Sequence, residues 1–477
     1  MGAQMSRAAS FCLVIACWAA IYLPGLGSLE IKGEEGRRIL PAVTMLESGN
    51  YLIPQVGGEP YFRKPPLVNW LVAASFKLTG VRNEWTARLP SVVSVLLVAL
   101  AFLTIARSSL GADGSLMAAL IWLANFGMIE KGRLIEIEAL YVSLFGLALI
   151  SWLSWWRQGK SLWLTWTAPW VFLGLGILAK GPVHLLFFYA VVIAVLFYEK
   201  RLRELFGIQH VAGLLIMIAI FAGWAIPYWQ AMAGGTVGQN WAVQLTGRFT
   251  GDDFKLKSWL LNIPRALAYL LPWTLLLPLI WKTEWRTTSD RNLSQALAWG
   301  AASPFLLVNL LPGGLPRYSM PALVPACWLM AMTLSAPEVE WRGKILEPLK
   351  RRRFVISIAV AASVLLCVYA IAIVPSLQGR AKVKPIAARI DSLVPNGETL
   401  FALDPDYQPF LFYVRSHLVY ASRLDEVPVN ARYILVRRER EAELMESQRW
   451  LPRRPQPVER ITDYRNHTVI LARVGEQ

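Results

Sequence analysis

The sequence predicts a polytopic α-helical membrane protein that carries a small extracytoplasmic α/β domain after its last crossing. Three observations carry the prediction. Hydrophobic residues make up 55% of the 477, a share too high for a soluble globule and matched by a mean hydropathy of +0.42. They gather into runs of roughly 17 to 23 residues, the length needed to cross a bilayer. From about Gln378 the long runs cease and short alternating segments of mixed charge take over.

In chain order the apolar runs fall at 8–26, 88–107, 112–129, 137–156, 161–179, 182–198, 209–230, 260–281, 294–312, 317–336 and 354–375, which makes about eleven crossings. The first run follows Arg7, contains Trp18, Tyr22 and Pro24, and lacks a small-x-small cleavage site, so it reads as a retained helix rather than a signal peptide. The hairpins around Lys131, Trp156 and Lys180 are short, and a pair of runs there could be re-entrant instead. Cys12, Cys17, Cys327 and Cys367 all sit inside apolar runs, which argues for neither a disulfide frame nor a zinc site.

The net charge of +16, from 48 Lys and Arg against 32 Asp and Glu, points in a membrane protein to basic cytoplasmic loops before it points to nucleic acid. Arg107, Arg157 with Lys160, Lys200 to Arg203, Lys282 to Arg291 and Arg342 to Arg353 occupy one set of alternate connections, the cytoplasmic set by the positive-inside rule. Glu30 to Arg88, Glu130 to Glu136, Lys180 to Pro182, Ala231 to Trp259 and Pro312 to Arg317 then face outward, and an odd number of crossings puts the tail outside as well. The domain division that follows is 1–376, a membrane domain including the first outer loop at 27–87, and 377–477, a soluble domain. In the tail TLFALD, HLVYAS, RYILVRR and TVILARV read as strands. Its Asp404, Asp406, His417 and His467 match no motif.

The outer loops hold the residues that could do chemistry. Glu34, Glu35, Arg37 and Arg38 follow the first run, and Lys64 precedes Pro65 and Pro66. A residue before proline is pushed out of the α region, so Lys64 is presented on extended backbone as a point charge that suits a phosphate. Glu136 and Glu138 stand at the mouth of an apolar run. An unpaired acid there is costly and is commonly paired or functional, although a helix start also favours an acid for structural reasons alone. Lys180 precedes Gly181 and Pro182, Arg248 follows Gly247, and Arg317 and Tyr318 open another run. Taken singly, each has a plain alternative as a solvated loop, a snorkelling cation or an interfacial anchor.

Together these blocks resemble a known family. GEEGRRILPAVTMLESGNYLIP and GEPYFRKPPLVNWL are similar to the first extracytoplasmic loop of the GT-C glycosyltransferases that use lipid-linked sugars, of the aminoarabinose-transferase and protein-mannosyltransferase type. The resemblance extends over about residues 8 to 340. It implies a GT-C-like fold and places Glu34 at the position of the family's catalytic-site acid, with Glu35 its neighbour. Arg133 and Glu138 reproduce an Arg and an acid five residues apart, with Glu in place of the family's Asp. Lys64, Arg37, Lys180, Arg248, Arg317 and Tyr318 are the implied binders of the donor phosphate. Two departures stand out: Arg38 replaces a common Tyr, and Arg63 replaces an acid that takes part in metal binding in some relatives. Lys255 and Lys257 also stand where relatives often carry histidines, so a divalent metal, which the family admits, is weighed against by this chain, and no cofactor is assigned.

The implied function is an inverting transfer of a sugar from a polyprenyl-phosphate donor to a lipid, glycan or protein acceptor, with lipid A modification among the options, at the outer face of a bacterial inner membrane. Glu34, with Glu138, orients or deprotonates the acceptor while Lys64, Arg248 and Arg317 neutralise the departing phosphate. A transporter or flippase of lipid-linked sugars is the alternative. It would show polar residues and broken helices at mid-membrane, whereas the cations here collect at one face. An inactive homologue acting as an assembly scaffold is a third reading.

Overall fold

A computed structural model describes residues 5–61, 63–232, 254–341, 343–380 and 382–475. Among them, six helical stretches are long and apolar enough to cross a membrane: Glu84–Thr104, Ile137–Arg157, Leu162–Ala179, Ile208–Ala231, Thr288–Leu310 and Pro348–Leu377. Two bent pairs raise the number to eight if each is one crossing. Arg107–Leu123 and Phe126–Gly132 meet at 55°, and Asn262–Ala268 and Trp273–Lys282 at 90°. Arg7–Tyr22, Leu67–Thr79 and Val183–Tyr198 are apolar but shorter.

The breaks have local causes. At the first, the Asn125 side chain accepts a hydrogen bond from the Met128 amide at 2.8 Å and caps a new helix start. At the second, Pro272 and Pro278 each remove a backbone donor from the apolar run expected at 260–281. The run expected at 317–336 likewise opens as a 3-10 turn, Pro316–Ala322, before the α-helix Leu323–Ser335.

The residues form two compact units. The first comprises Met1–Pro24, Arg63–Leu67 and Pro90–Ala370. Its helices approach closely where small residues allow it: a Cβ on Gly213 would lie 2.0 Å from the Trp166 carbonyl oxygen, so only glycine lets Ile208–Ala231 pack on Leu162–Ala179 at that point. The buried Trp122 indole donates to the Val95 carbonyl at 2.9 Å and the half-buried Trp18 indole to that of Val92 at 3.0 Å.

The second unit comprises Gly25–Phe62, Val68–Leu89 and Ile371–Gln477. Its tail portion is a five-stranded sheet in the order 417–421, 399–403, 433–437, 468–474, 455–462. The first three strands run parallel and the last two pair antiparallel. Leu403, Ile434, Val436, Leu444, Trp450 and Ile470 form its core, in agreement with the strands read from the alternating segments.

The first loop contributes a helix, Gly36–Ser48, and a two-stranded ribbon, Gln55–Val56 with Glu59–Pro60. These contact the tail directly. The Tyr413 hydroxyl accepts from the Ile31 amide at 2.8 Å and donates to Glu84 at 3.0 Å; burial, with the Glu84 carboxylate beside it, pushes this phenol above its ordinary range and keeps it a neutral donor. The Glu30 carboxylate accepts from the Lys384 amide at 2.9 Å, and the Arg37 guanidinium stacks 3.7 Å over the Tyr407 ring. The sequence division follows chain order; the compact units do not.

Candidate active site

Three separate segments of the first unit meet at Glu138. It is the second residue of the Ile137–Arg157 helix, where the backbone dipole favours an acid. Its side chain is only 9% exposed, and Oε1 lies 3.2 Å from Lys180 Nζ and 3.5 Å from Arg317 Nε. A buried carboxylate is stable when held this way between two cations, either of which still faces it if the other is removed.

Lys180 reaches Glu138 because the Leu162–Ala179 helix stops there. The next residue, Gly181, takes a φ of +129°, and Pro182 follows. The ammonium also faces two aromatic rings, with Nζ 4.8 Å from the Tyr318 centroid and 5.1 Å from that of Tyr141, a favourable cation–π geometry. Arg317 and Tyr318 come from the Pro316–Ala322 turn. Glu138, Lys180, Arg317 and Tyr318, all singled out in the sequence, are therefore brought together.

Two residues that sequence reasoning missed support the turn. Tyr141 lies one helical turn after Glu138, on the same face. Its hydroxyl donates to the Gly181 carbonyl at 3.3 Å and accepts from the His184 amide. The His184 ring is fully buried, with Nε2 3.0 Å from the Leu173 carbonyl oxygen and Nδ1 3.1 Å from that of Gly181. A Cβ on Gly176 would lie 2.6 Å from His184 Nε2, so this ring requires glycine there. The only sequence signal was a lone histidine in an apolar run. The neighbouring acids form a second knot, with Lys131 3.0 Å from both Glu130 and Glu136. Arg133 binds the Ile21 and Pro24 carbonyls.

The remaining candidates belong to other segments. Lys64 is half-buried in a bend counted with the first unit. Arg248 lies outside the described residues. Glu34, Glu35 and Arg37 belong to the second unit. Glu34, with 44% of its side chain exposed, pairs with Arg37 at 3.0 Å. Glu35 is buried and takes both Nε and Nη2 of Arg88 at 2.9 Å. Arg88 also donates to the carbonyls of Leu26 at 2.7 Å, Leu29 at 2.9 Å and Glu30 at 3.3 Å, which uses the five N–H donors of its guanidinium. Arg38 is buried and finds a partner in the Tyr61 hydroxyl at 3.1 Å.

Among the described residues no three His, Cys, Asp or Glu side chains gather as metal ligands would, and Arg63 is exposed. Among the described residues this donor set does not fit a divalent metal. What the Glu138 cluster can do is bind an anion. Two cations are steered by one buried acid at the mouth of apolar helices, and the Arg317 side chain is 40% exposed.

Comparison with known proteins gives a consistent picture. The family model described as dolichyl-phosphate-mannose-protein mannosyltransferase matches residues 63–226. An undecaprenyl phosphate-alpha-4-amino-4-deoxy-L-arabinose arabinosyl transferase of Pseudomonas savastanoi pv. phaseolicola is 28% identical over 348 residues, covering 72% of this chain and 64% of the relative. A transferase of the same name from Pseudomonas fluorescens is 29% identical over 301 residues, covering 61% and 53%. The chain thus spans about half to two thirds of the length of these relatives. In structure it is similar to ArnT from Cupriavidus metallidurans bound to undecaprenyl phosphate, with a TM-score of 0.70 at 18% identity over 99% of this chain and 100% of that one. The apo form of the same protein gives 0.69 at 17% identity over 98% and 99%. This likeness establishes the GT-C membrane fold.

Proposed function

As a GT-C membrane protein of the aminoarabinose-transferase-like family, this chain, we propose, transfers a sugar from a polyprenyl-phosphate donor of the undecaprenyl type to an acceptor at the outer face of the membrane. The observation that carries the reading is the meeting of Glu138, Lys180 and Arg317 from three distant segments. In the reaction an acceptor oxygen forms a bond to the anomeric carbon as the bond from that carbon to the phosphate oxygen breaks. The electron pair leaves with the polyprenyl phosphate, and the configuration inverts. Lys180 and Arg317, with Tyr318 beside them, neutralise the charge that develops on the leaving phosphate, where preorganised cations are most effective. Glu138 holds both cations in place. For Lys64, Arg37 and Arg248 the family resemblance implies donor-phosphate binding as well.

Glu34 and its neighbour Glu35 are assigned to the acceptor side. Glu34 takes the proton if the acceptor is a hydroxyl and orients the acceptor if it is a phosphate, as on lipid A, which has no proton that must be removed. Glu35, fixed by Arg88, sets the loop that presents Glu34. About eleven crossings follow if Arg7–Tyr22, Val183–Tyr198, Pro316–Ser335 and both bent pairs each span the bilayer. Residues 1–376 then make the catalytic membrane domain, and 377–477 lie outside with the active site.

The test is turnover in reconstituted vesicles supplied with an undecaprenyl-phosphate-linked sugar and an acceptor. Wild-type protein is expected to release free undecaprenyl phosphate, while Glu34→Gln and Lys64→Ala lose transfer at normal expression. Translocation of intact donor without free undecaprenyl phosphate would make the protein a flippase and overturn the reading, as would full transfer by both variants.

A further inference from the structure

At the other end of the Ile137–Arg157 helix from Glu138 the first unit holds a second site. Arg157 pairs with Asp290 at 3.0 Å, so the start of the Thr288–Leu310 helix lies about 28 Å from Glu138 along the helix rise, the thickness of a bilayer's hydrocarbon core. There a cleft of ≈ 950 Å³ opens between residues 280–288 and the first turns of Thr288–Leu310. Arg286 and Arg291 line it, both exposed, and neither has an ion-pair partner among the described residues. Glu284 is the one carboxylate in its wall, which leaves the lining net positive.

The cleft continues into an apolar groove of ≈ 270 Å³. The two share Ile280, Trp281, Ala298 and Ala302, and the groove reaches Phe305. From Arg291 to Phe305 the helix rises about 21 Å, roughly the depth of a headgroup and one leaflet. Trp281 is 80% exposed and Trp299 65%, as indoles are at a membrane interface.

We infer that this is a binding site for an anionic phospholipid, with the headgroup phosphate on Arg286 and Arg291 and one acyl chain along the groove. The charge of the cleft selects an anion, and the groove selects a lipid over a soluble one; basic pockets between membrane helices recognise headgroups in this way. The site is separate from the Glu138 cluster and sits at the opposite membrane face.

Native mass spectrometry of the full chain, released from vesicles of mixed phosphatidylglycerol and phosphatidylcholine, tests it. Wild type is expected to retain phosphatidylglycerol in at least tenfold preference, and Arg286→Ala with Arg291→Ala to lose that preference. Lys350→Ala with Arg353→Ala, which removes two exposed cations outside the cleft, should leave it unchanged. Equal retention by wild type and the cleft variant, or equal loss in both double variants, would overturn the inference. So would stabilisation by inorganic phosphate as strong as by the lipid, since the groove would then contribute nothing. Because the readout is lipid retention, failure here leaves the sugar-transfer reading standing.

Discussion

Two buried carboxylates, one in each unit, are held in different ways. Glu35 meets Arg88 through two bonds of 2.9 Å, both side chains are 3% exposed, and the remaining guanidinium donors go to three backbone carbonyls. Every group is matched, which is the condition under which a buried ion pair fixes a chain segment. Glu138 meets its cations at 3.2 and 3.5 Å, one of them on a side chain 40% exposed, and the other is cushioned by two aromatic faces. The first arrangement is a lock, and the second is a set of steered charges at a surface that a ligand can reach. Burial of an acid therefore marks neither catalysis nor structure by itself; the geometry of its partners decides.

The comparison is broken most severely by Arg88→Ala. Removing one partner of a saturated buried pair costs about 3–5 kcal/mol, so this variant should unfold or fail to accumulate, as read by size exclusion and thermal unfolding in detergent. A variant with normal stability would show that Glu35 is not locked. Lys180→Ala and Arg317→Ala should keep the fold and lower transfer by on the order of 10²- to 10³-fold, the loss typical of one preorganised charge-stabilising group; activity within a factor of two of wild type would remove them from the site. Glu138→Gln should lower transfer by roughly tenfold, because the cations stay near but are less firmly steered. The smallest effect is on stability in Glu34→Gln. Its exposed pair with Arg37 is worth less than about 1 kcal/mol, and a drop larger than that by calorimetry would give Glu34 a structural role.

Much of the membrane architecture was legible because hydropathy and run length are local properties. The strands at 399–403, 433–437 and 468–474 were legible for the same reason. The breaks at Asn125 and Pro272 were not, since a capping amide and a proline inside an apolar run leave its hydropathy unchanged. Glu138, Lys180 and Arg317 could each be named from a short block, but their meeting depends on separations of 42 residues and more, which no local pattern encodes. Arg88 was hidden as the basic edge of an apolar run, and its five acceptors lie more than fifty residues upstream. Tyr413 and Glu84 were hidden likewise, because the grouping of the first loop with the tail rests on contacts across more than three hundred residues.

The central claim is that Lys180 and Arg317, steered by Glu138, receive the phosphate of a polyprenyl lipid. Direct binding of undecaprenyl phosphate to purified wild-type protein and to Lys180→Ala and Arg317→Ala, each first checked for an unchanged melting temperature, measures it. At least tenfold weaker binding by each folded variant, with wild-type affinity retained by Arg286→Ala, is the predicted result. Equal affinity across wild type and both site variants would contradict it.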